Sequence, residues 1–416
     1  MKKNNYILIK ILRKALFLAS FLFLIPFVII FLTPFKDKVK FIKLRRDVIG
    51  NSIEELYLYL NIYKKNKYHY FFFDDSYVCN EYFNKICKKN LKFSLFGKTL
   101  LYISKRIKLF DKFIINMPKW YNLNQSNPKS FKTVKEFKFS KKQNNEGKNF
   151  LNNIGVKKNQ KIICLIIRDN FYKKKLSNDK KRDWSSHNYR NADISSYLKT
   201  IRYLNKKGYF VIRMGKGAEN AIKYSNPSYF DYARSDLRDD FLDFWIISNA
   251  YFCISTGTGV DELCSTYSVP SVDTNFLPIG MVRSAQNTNI SIFKKIRSSR
   301  NKKLINLSEL INNRIFYRQD ELETHKNNFY WEDNSPTEIF EATKEMELLL
   351  LKKNINTKFD RLNQKKFWDK FNDVKNCKDL YSHGELNNIK IVYENRRFFN
   401  SSISNFFLAN NSWILK

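Results

Sequence analysis

The sequence predicts an α/β protein: two lobes, each built on a parallel sheet, behind an N-terminal membrane helix. Three observations lead there. Short apolar runs alternate with helical patterns twice along the chain, the signature of parallel sheets flanked by helices. A polar, helix-poor stretch at about 122–148 separates the two series. Residues 15–35 hold 21 positions without a charge, which at a rise of about 1.5 Å per residue spans a bilayer core of about 30 Å.

The chain has 416 residues, room for an anchor and two domains of roughly 150 residues each. Hydrophobic residues make up 43%, which excludes global disorder. Lys+Arg is 75 against Asp+Glu 39, a net charge of +36. Such a balance suits nucleic acid, an anionic membrane surface or acidic substrates such as nucleotide diphosphates. Lysine is spread over the whole length, which argues against a nucleic-acid partner. The abundance of Lys, Asn, Ile, Phe and Tyr is also what an AT-rich genome encodes, so part of the charge carries no function. The six cysteines form no CxxC and pair with no histidine at zinc spacing, so they read as free thiols with no metal site.

Taken in order, residues 1–40 form the anchor, with Lys10, Arg13 and Lys14 before the apolar run and Lys36 to Arg46 after it. No small-x-small cleavage site follows, so the run is kept rather than removed as a signal peptide. Pro26 can kink it, a monotopic helix lying in the interface is the alternative to a single pass, and the basic stretch behind it suits anionic lipid. The first lobe, 41–125, opens with a strand at 41–45. A helix at 52–65 follows, capped by Ser52. A strand at 68–73 ends in Asp74-Asp75, then come a helix at about 80–89 and a third strand at 91–96. A linker is expected at 126–158. The second lobe, 159–335, begins with an apolar strand at 161–167 ending in Arg168-Asp169. A helix at 193–205 and a strand at 209–212 ending in Arg213-Met214-Gly215 follow. After them come a helix at 239–249, a strand at 251–254, the turn 255–259, a helix at 260–267 and a strand from 269. In the tail, 336–416, a helix at 338–351 is expected to cross back to the first lobe. Residues 367–371 and 389–393 suggest one more helix and one more strand.

The turn Ser255-Thr256-Gly257-Thr258-Gly259 carries the strongest signal. Glycine lets the backbone approach a ligand, and the first turn of a helix presents free N–H groups that favour an anion. A diphosphate suits it, while the pattern is neither GxGxxG nor a Walker loop. The plainer reading is a strand-to-helix turn with Thr258 as N-cap. Arg168 and Arg213 each follow a strand directly, where open α/β sheets bind ligands and where an arginine can grip phosphate bidentately. Gly215 follows Arg213. Asp169, His187 and Asp75 are the candidate bases for taking a proton from an acceptor hydroxyl. Gly50 and Asn51, in the turn before the first helix, suit a close backbone approach to substrate.

Several stretches resemble signatures of a glycosyltransferase family encoded in bacterial surface-polysaccharide clusters, similar in style to heptosyltransferases and O-fucosyltransferases. They are Arg46-Asp47-Val48-Ile49-Gly50-Asn51, Ile167-Arg168-Asp169, Tyr189-Arg190-Asn191-Ala192-Asp193 and the run 208–215. Further on come Asp231-Tyr232-Ala233, Phe241-Leu242-Asp243, the turn 255–259, the stretch 331–339 and the closing 406–411. The resemblance implies a GT-B-like fold of two Rossmann-like lobes and a nucleotide-sugar donor in the second lobe. It implies no cofactor and no required metal. Arg168 resembles the arginine that meets donor phosphates, and Gly257 and Gly259 look like the diphosphate loop, with Arg213 and Gly215 lining the same cleft. Ile166-Ile167 stand where fucosyltransferase-like enzymes often have a histidine. The expected function is transfer of a sugar to a surface-polysaccharide, lipopolysaccharide or lipid-linked glycan acceptor at the bacterial inner membrane, on its cytoplasmic side. The partners are then a nucleotide sugar, a glycan acceptor and the membrane, without nucleic acid. A sugar-nucleotide epimerase and a non-catalytic scaffold of the same fold are the alternatives.

Overall fold

A computed structural model describes residue 26 and residues 33–35, 38–63, 66–73, 77–115, 134–176, 185–284, 288–312, 328–353, 356–373 and 400–416. Among them no helix is long and apolar enough to cross a membrane. The expected anchor at 15–35 lies outside the described residues except for Pro26 and Thr33–Phe35, and so does the strand expected at 389–393.

The described residues divide into two compact units. The first draws on Met1–Leu44, Tyr63–Asp74 and Lys88–Met117. Its sheet holds β1 (Lys40–Leu44), β2 (His69–Phe73) and β3 (Ile114–Ile115), all parallel, in the order β2-β1-β3. Phe41, Phe72, Leu100, Ile103, Phe110, Phe113 and Ile114 form its core. The Phe96–Ser104 helix comes so close to β2 that a Cβ on Gly97 would lie 2.4 Å from the Phe72 ring. The strand expected at 91–96 is a single bridge, Phe71 to Phe93. The apolar residues that follow, Phe96, Leu100 and Ile103, recur at helical spacing, and that periodicity wins over a strand. β3 fills the third place in the sheet.

The second unit draws on Arg45–Ile62, Asp75–Cys87 and Pro118–Lys416. Its seven-stranded sheet is parallel throughout. It contains β4 (Ile162–Ile166), β5 (Phe210–Arg213), β6 (Tyr229–Phe230), β7 (Phe252–Ser255), β8 (Ser271–Phe276), β9 (Asn289–Phe293) and, at one edge, β12 (Ser402–Ile403). The order is β12-β9-β8-β7-β4-β5-β6. β10 (Lys295–Ser298) and β11 (Phe329–Glu332) pair separately as an antiparallel ribbon. β4 and β7 are buried at every position, as continuous apolar runs between two helical layers must be. The chain steps outward from β4 to β5 and β6, then returns to β7 on the other side of β4. The gap between β4 and β7 is therefore a topological switch point, where open α/β sheets leave a crevice at the carboxyl ends of their strands.

Two expectations change here. Residues 141–153, inside the expected linker, form the Lys141–Asn153 helix, with a capping box between Ser140 and Gln143. Its composition is almost wholly polar because it needs little apolar surface. Gly147 lies against Trp245, where a Cβ would stand 2.1 Å from the indole, and Asn144 accepts from the indole nitrogen at 3.1 Å. The first helix runs Ile49–Tyr63, so Ser52 is inside it rather than its cap. The Ser52 hydroxyl donates to the Val48 carbonyl at 2.7 Å. The described part of the tail packs on the seven-stranded sheet. The Pro336–Leu350 helix buries Ile339, Ala342 and Met346 in that sheet's core, and β12 extends its edge.

Candidate functional site

The switch point places the ends of β4 and β7 side by side, and the first residues past them are bonded together. The Arg168 amide donates to the Thr256 hydroxyl at 3.0 Å, and the Arg168 Nε donates to the Asn191 side-chain oxygen at 3.2 Å. Arg190, at the end of the Ser185–Arg190 3-10 helix, donates to the Gly257 carbonyl. Among the described residues neither guanidinium is paired with a carboxylate. Burial, then the charge of Arg190, pulls Arg168 down to about 9, with Tyr189 and Asp169 opposing. A guanidinium stays charged at neutral pH, so Arg168 is a buried cation, held there first at a cost in desolvation and then against the Arg190 charge, and a bound anion would offset both.

The turn itself is closed by its own groups. The Ser255 hydroxyl donates to Asp261 at 2.5 Å, the Thr258 amide donates to the same oxygen at 2.9 Å, and the Gly257 amide donates to the Ser255 hydroxyl at 3.2 Å. The Thr256 amide donates to the Ile166 carbonyl at 3.2 Å. Three amides expected to cradle a diphosphate are thus already used, and the following helix, Glu262–Tyr267, is shorter than two turns and opens on two carboxylates. What the turn offers an anion is the Thr258 hydroxyl, buried and without a partner. Thr258 is also not the side-chain cap of that helix. Gly257 has φ +69, and a Cβ there would press on the Phe276 ring at 3.0 Å.

Behind the turn stands a buried ionic knot. Arg283, fully buried, reaches Asp261 at 2.9 Å, Glu262 at 3.2 Å and Asp273 at 3.2 Å. Burial pushes Asp273 up to about 6, against the pull of Arg283. Glu54, on the Ile49–Tyr63 helix, is lifted well above the carboxylate range by burial and by Glu262.

Arg213 is 1% exposed and belongs to the interior. It pairs with Asp231 at 3.2 Å and Asp169 at 3.7 Å and donates to the Asn220 carbonyl. The two oxygens of Asp169 also accept from the amides of Phe171 at 2.9 Å and Glu219 at 2.8 Å. A carboxylate held this way ties two loops together and is poorly placed to take a proton. Gly215, with φ +148, keeps the same loop close to Ala233. Gly50 and Gly259 pack on each other: a Cβ on Gly50 would lie 2.7 Å from the Gly259 Cα. They serve a close helix-to-turn contact instead of a substrate approach, and Asn51 is exposed on the helix. His187 is half-buried, three positions before Arg190. Asp75 lies outside the described residues.

Arg190 and Asn191 lie in the stretch 189–193 quoted for the resemblance but were given no role there, and Lys294 was not singled out from the sequence. Asn191 accepts from Arg168 and donates to Asn170 at 2.8 Å and Asn188 at 3.2 Å. Lys294, just past β9 and 1% exposed, donates to the Asn191 carbonyl at 2.5 Å and pairs with Asp333 at 2.6 Å. The sequence marked Arg190 only as part of that stretch and of a polar loop whose histidine drew attention first.

No family model matches this sequence, and no curated protein does. Among solved structures, the chain is similar to the glycosyl transferase family 9 protein from Veillonella parvula DSM 2008, with a TM-score of 0.41 and 10% sequence identity. The match covers 76% of this chain and 98% of that one. A likeness this distant transfers no residue role.

Proposed function

We propose that this chain is a glycosyltransferase that takes a sugar nucleotide at the carboxyl ends of β4 and β7. The observation that carries the reading is the pair of neighbouring guanidiniums, Arg168 and Arg190, with no carboxylate partner among the described residues, at the switch point of a parallel sheet. Two such cations favour a dianionic group, and a sugar nucleotide presents a diphosphate. Transfer would be direct displacement at the anomeric carbon. As the bond to the diphosphate breaks, charge grows on its oxygens, and fixed guanidiniums stabilise that charge without reorganising. His187 or Asp75 would take the proton of the acceptor hydroxyl. The resemblance quoted from the sequence supports a surface-polysaccharide or lipid-linked glycan as acceptor, and the uncharged run 15–35 supports a place at the membrane.

The occupation of Asp169 by two amides and Arg213 favours a second reading, a protein of the same fold that binds a sugar nucleotide without transferring the sugar. An incorporation assay separates the two. The full chain in detergent is incubated with labelled sugar nucleotides and a bacterial glycolipid extract, beside Arg168→Ala and Arg190→Ala. Label entering glycolipid with wild type alone supports transfer. Binding without incorporation supports the second reading.

A further inference from the structure

The Lys358–Asp373 helix lies on the second unit by one face, where Asn363, Phe367, Trp368 and Phe371 are buried. Its other face is open. Phe359 is 58% exposed and Leu362 is 48% exposed, and three positions apart they share one side of the helix. Lys358, Arg361, Lys365 and Lys366 are exposed around them. Among the described residues of that helix the exposed carboxylate is Asp369, already paired with Lys365 at 2.6 Å, while Asp360 caps the start of the helix through Thr357. Apolar side chains ringed by cations on the outer face are the pattern of a helix that rests in a lipid interface.

We propose that this face docks on an anionic bilayer. Phe359 and Leu362 enter the boundary between headgroups and acyl chains, and Lys358, Arg361 and Lys366 meet lipid phosphates, while Lys365 stays with Asp369. Charge complementarity selects this occupant. A second copy of a chain carrying +36 would be repelled by the ring of cations, and a neutral apolar partner would leave those cations unused. Basic groups at a membrane surface gain from its negative potential within a Debye length. The docking is independent of the donor site and of the run 15–35.

The test uses the full chain with Leu362→Cys carrying an environment-sensitive fluorophore, mixed with nanodiscs. Because Leu362 is exposed, the substitution leaves the fold intact, which circular dichroism confirms. In nanodiscs of equal parts phosphatidylglycerol and phosphatidylcholine the emission shifts to the blue, brominated acyl chains quench it, and Lys358→Glu with Lys366→Glu removes the shift. Phosphatidylcholine alone gives little shift. The proposal is overturned by unchanged emission in the anionic nanodiscs or by an equal shift in both lipids. It is also overturned by an equal shift from the same label at Lys142→Cys on the Lys141–Asn153 helix, or by a lipid-free shift that grows with protein concentration.

Discussion

Arg190 donates to the carbonyl of Gly257, and that bond brings a second cation beside Arg168 at the switch point of the sheet. An arginine spent on a main-chain carbonyl, with a like charge as neighbour, gains from an anion what it lacks from an acid. A hydrogen bond to a charged group contributes about 1.5–3 kcal/mol. Arg190→Ala is therefore expected to weaken binding of the cognate nucleoside diphosphate by about 10- to 100-fold, read by calorimetry. Arg190→Lys keeps the charge and loses the fork, so its affinity falls between the two.

Arg213 carries the opposite expectation. Its loss leaves Asp169 and Asp231 without their shared cation in the interior. Breaking a buried pair by removing one partner costs about 3–5 kcal/mol. Arg213→Met should lower the urea midpoint while the folded fraction binds nucleotide as wild type does. Unchanged stability with lost affinity would return Arg213 to the binding site.

Gly50 and Gly259 give a test of packing against substrate approach. A Cβ on Gly50 meets backbone atoms of Gly259 at 2.7 and 2.9 Å, and backbone cannot yield as a flexible side chain does. Gly50→Ala is expected to destabilise the protein by about 1–3 kcal/mol, the usual range for overpacking. Thermal unfolding reads it, and a variant as stable as wild type contradicts the close contact.

The ionic knot makes stability depend on pH. Burial raises the folded Asp273 carboxyl to about 6 from an ordinary value of 3.8. A raised pKa favours the folded state while the group is protonated. Its contribution is fully present below the unfolded value and is lost as the pH rises through the folded one. Asp273→Asn does not titrate. Measured in urea between about pH 4 and pH 7, the unfolding free energy of the variant should therefore gain on wild type as the pH rises. A constant difference would contradict the assignment.

The strands of the second sheet were legible because residues 162–167 and 251–254 are unbroken apolar runs ending in turn or charged residues, and burial on both faces demands that pattern. Arg168 and the turn 255–259 were legible for the same reason, since a strand's end announces them. The Lys141–Asn153 helix was not. Its stability rests on a capping box and on Gly147 under Trp245, a contact no periodicity reveals. β12 has two residues, and β9 is more than a hundred positions earlier, so tertiary contact alone makes it a strand. In the site, Arg213 looked like Arg168 because both follow strands. Only the fold shows that Asp169 and Asp231 converge on one of them. The role of Arg190 was hidden, although its stretch was quoted, because its position depends on a bond to a residue 67 positions away.

The most direct measurement is a thermal-shift panel on the full chain in detergent without added metal. It uses UDP, GDP, CDP, ADP and their common sugars, with wild type, Arg168→Ala and Arg190→Ala. One nucleotide class is expected to raise Tm in wild type, and neither variant is expected to respond. No rise with any nucleotide in folded wild type, or an equal rise in both variants, would contradict a donor site at the ends of β4 and β7.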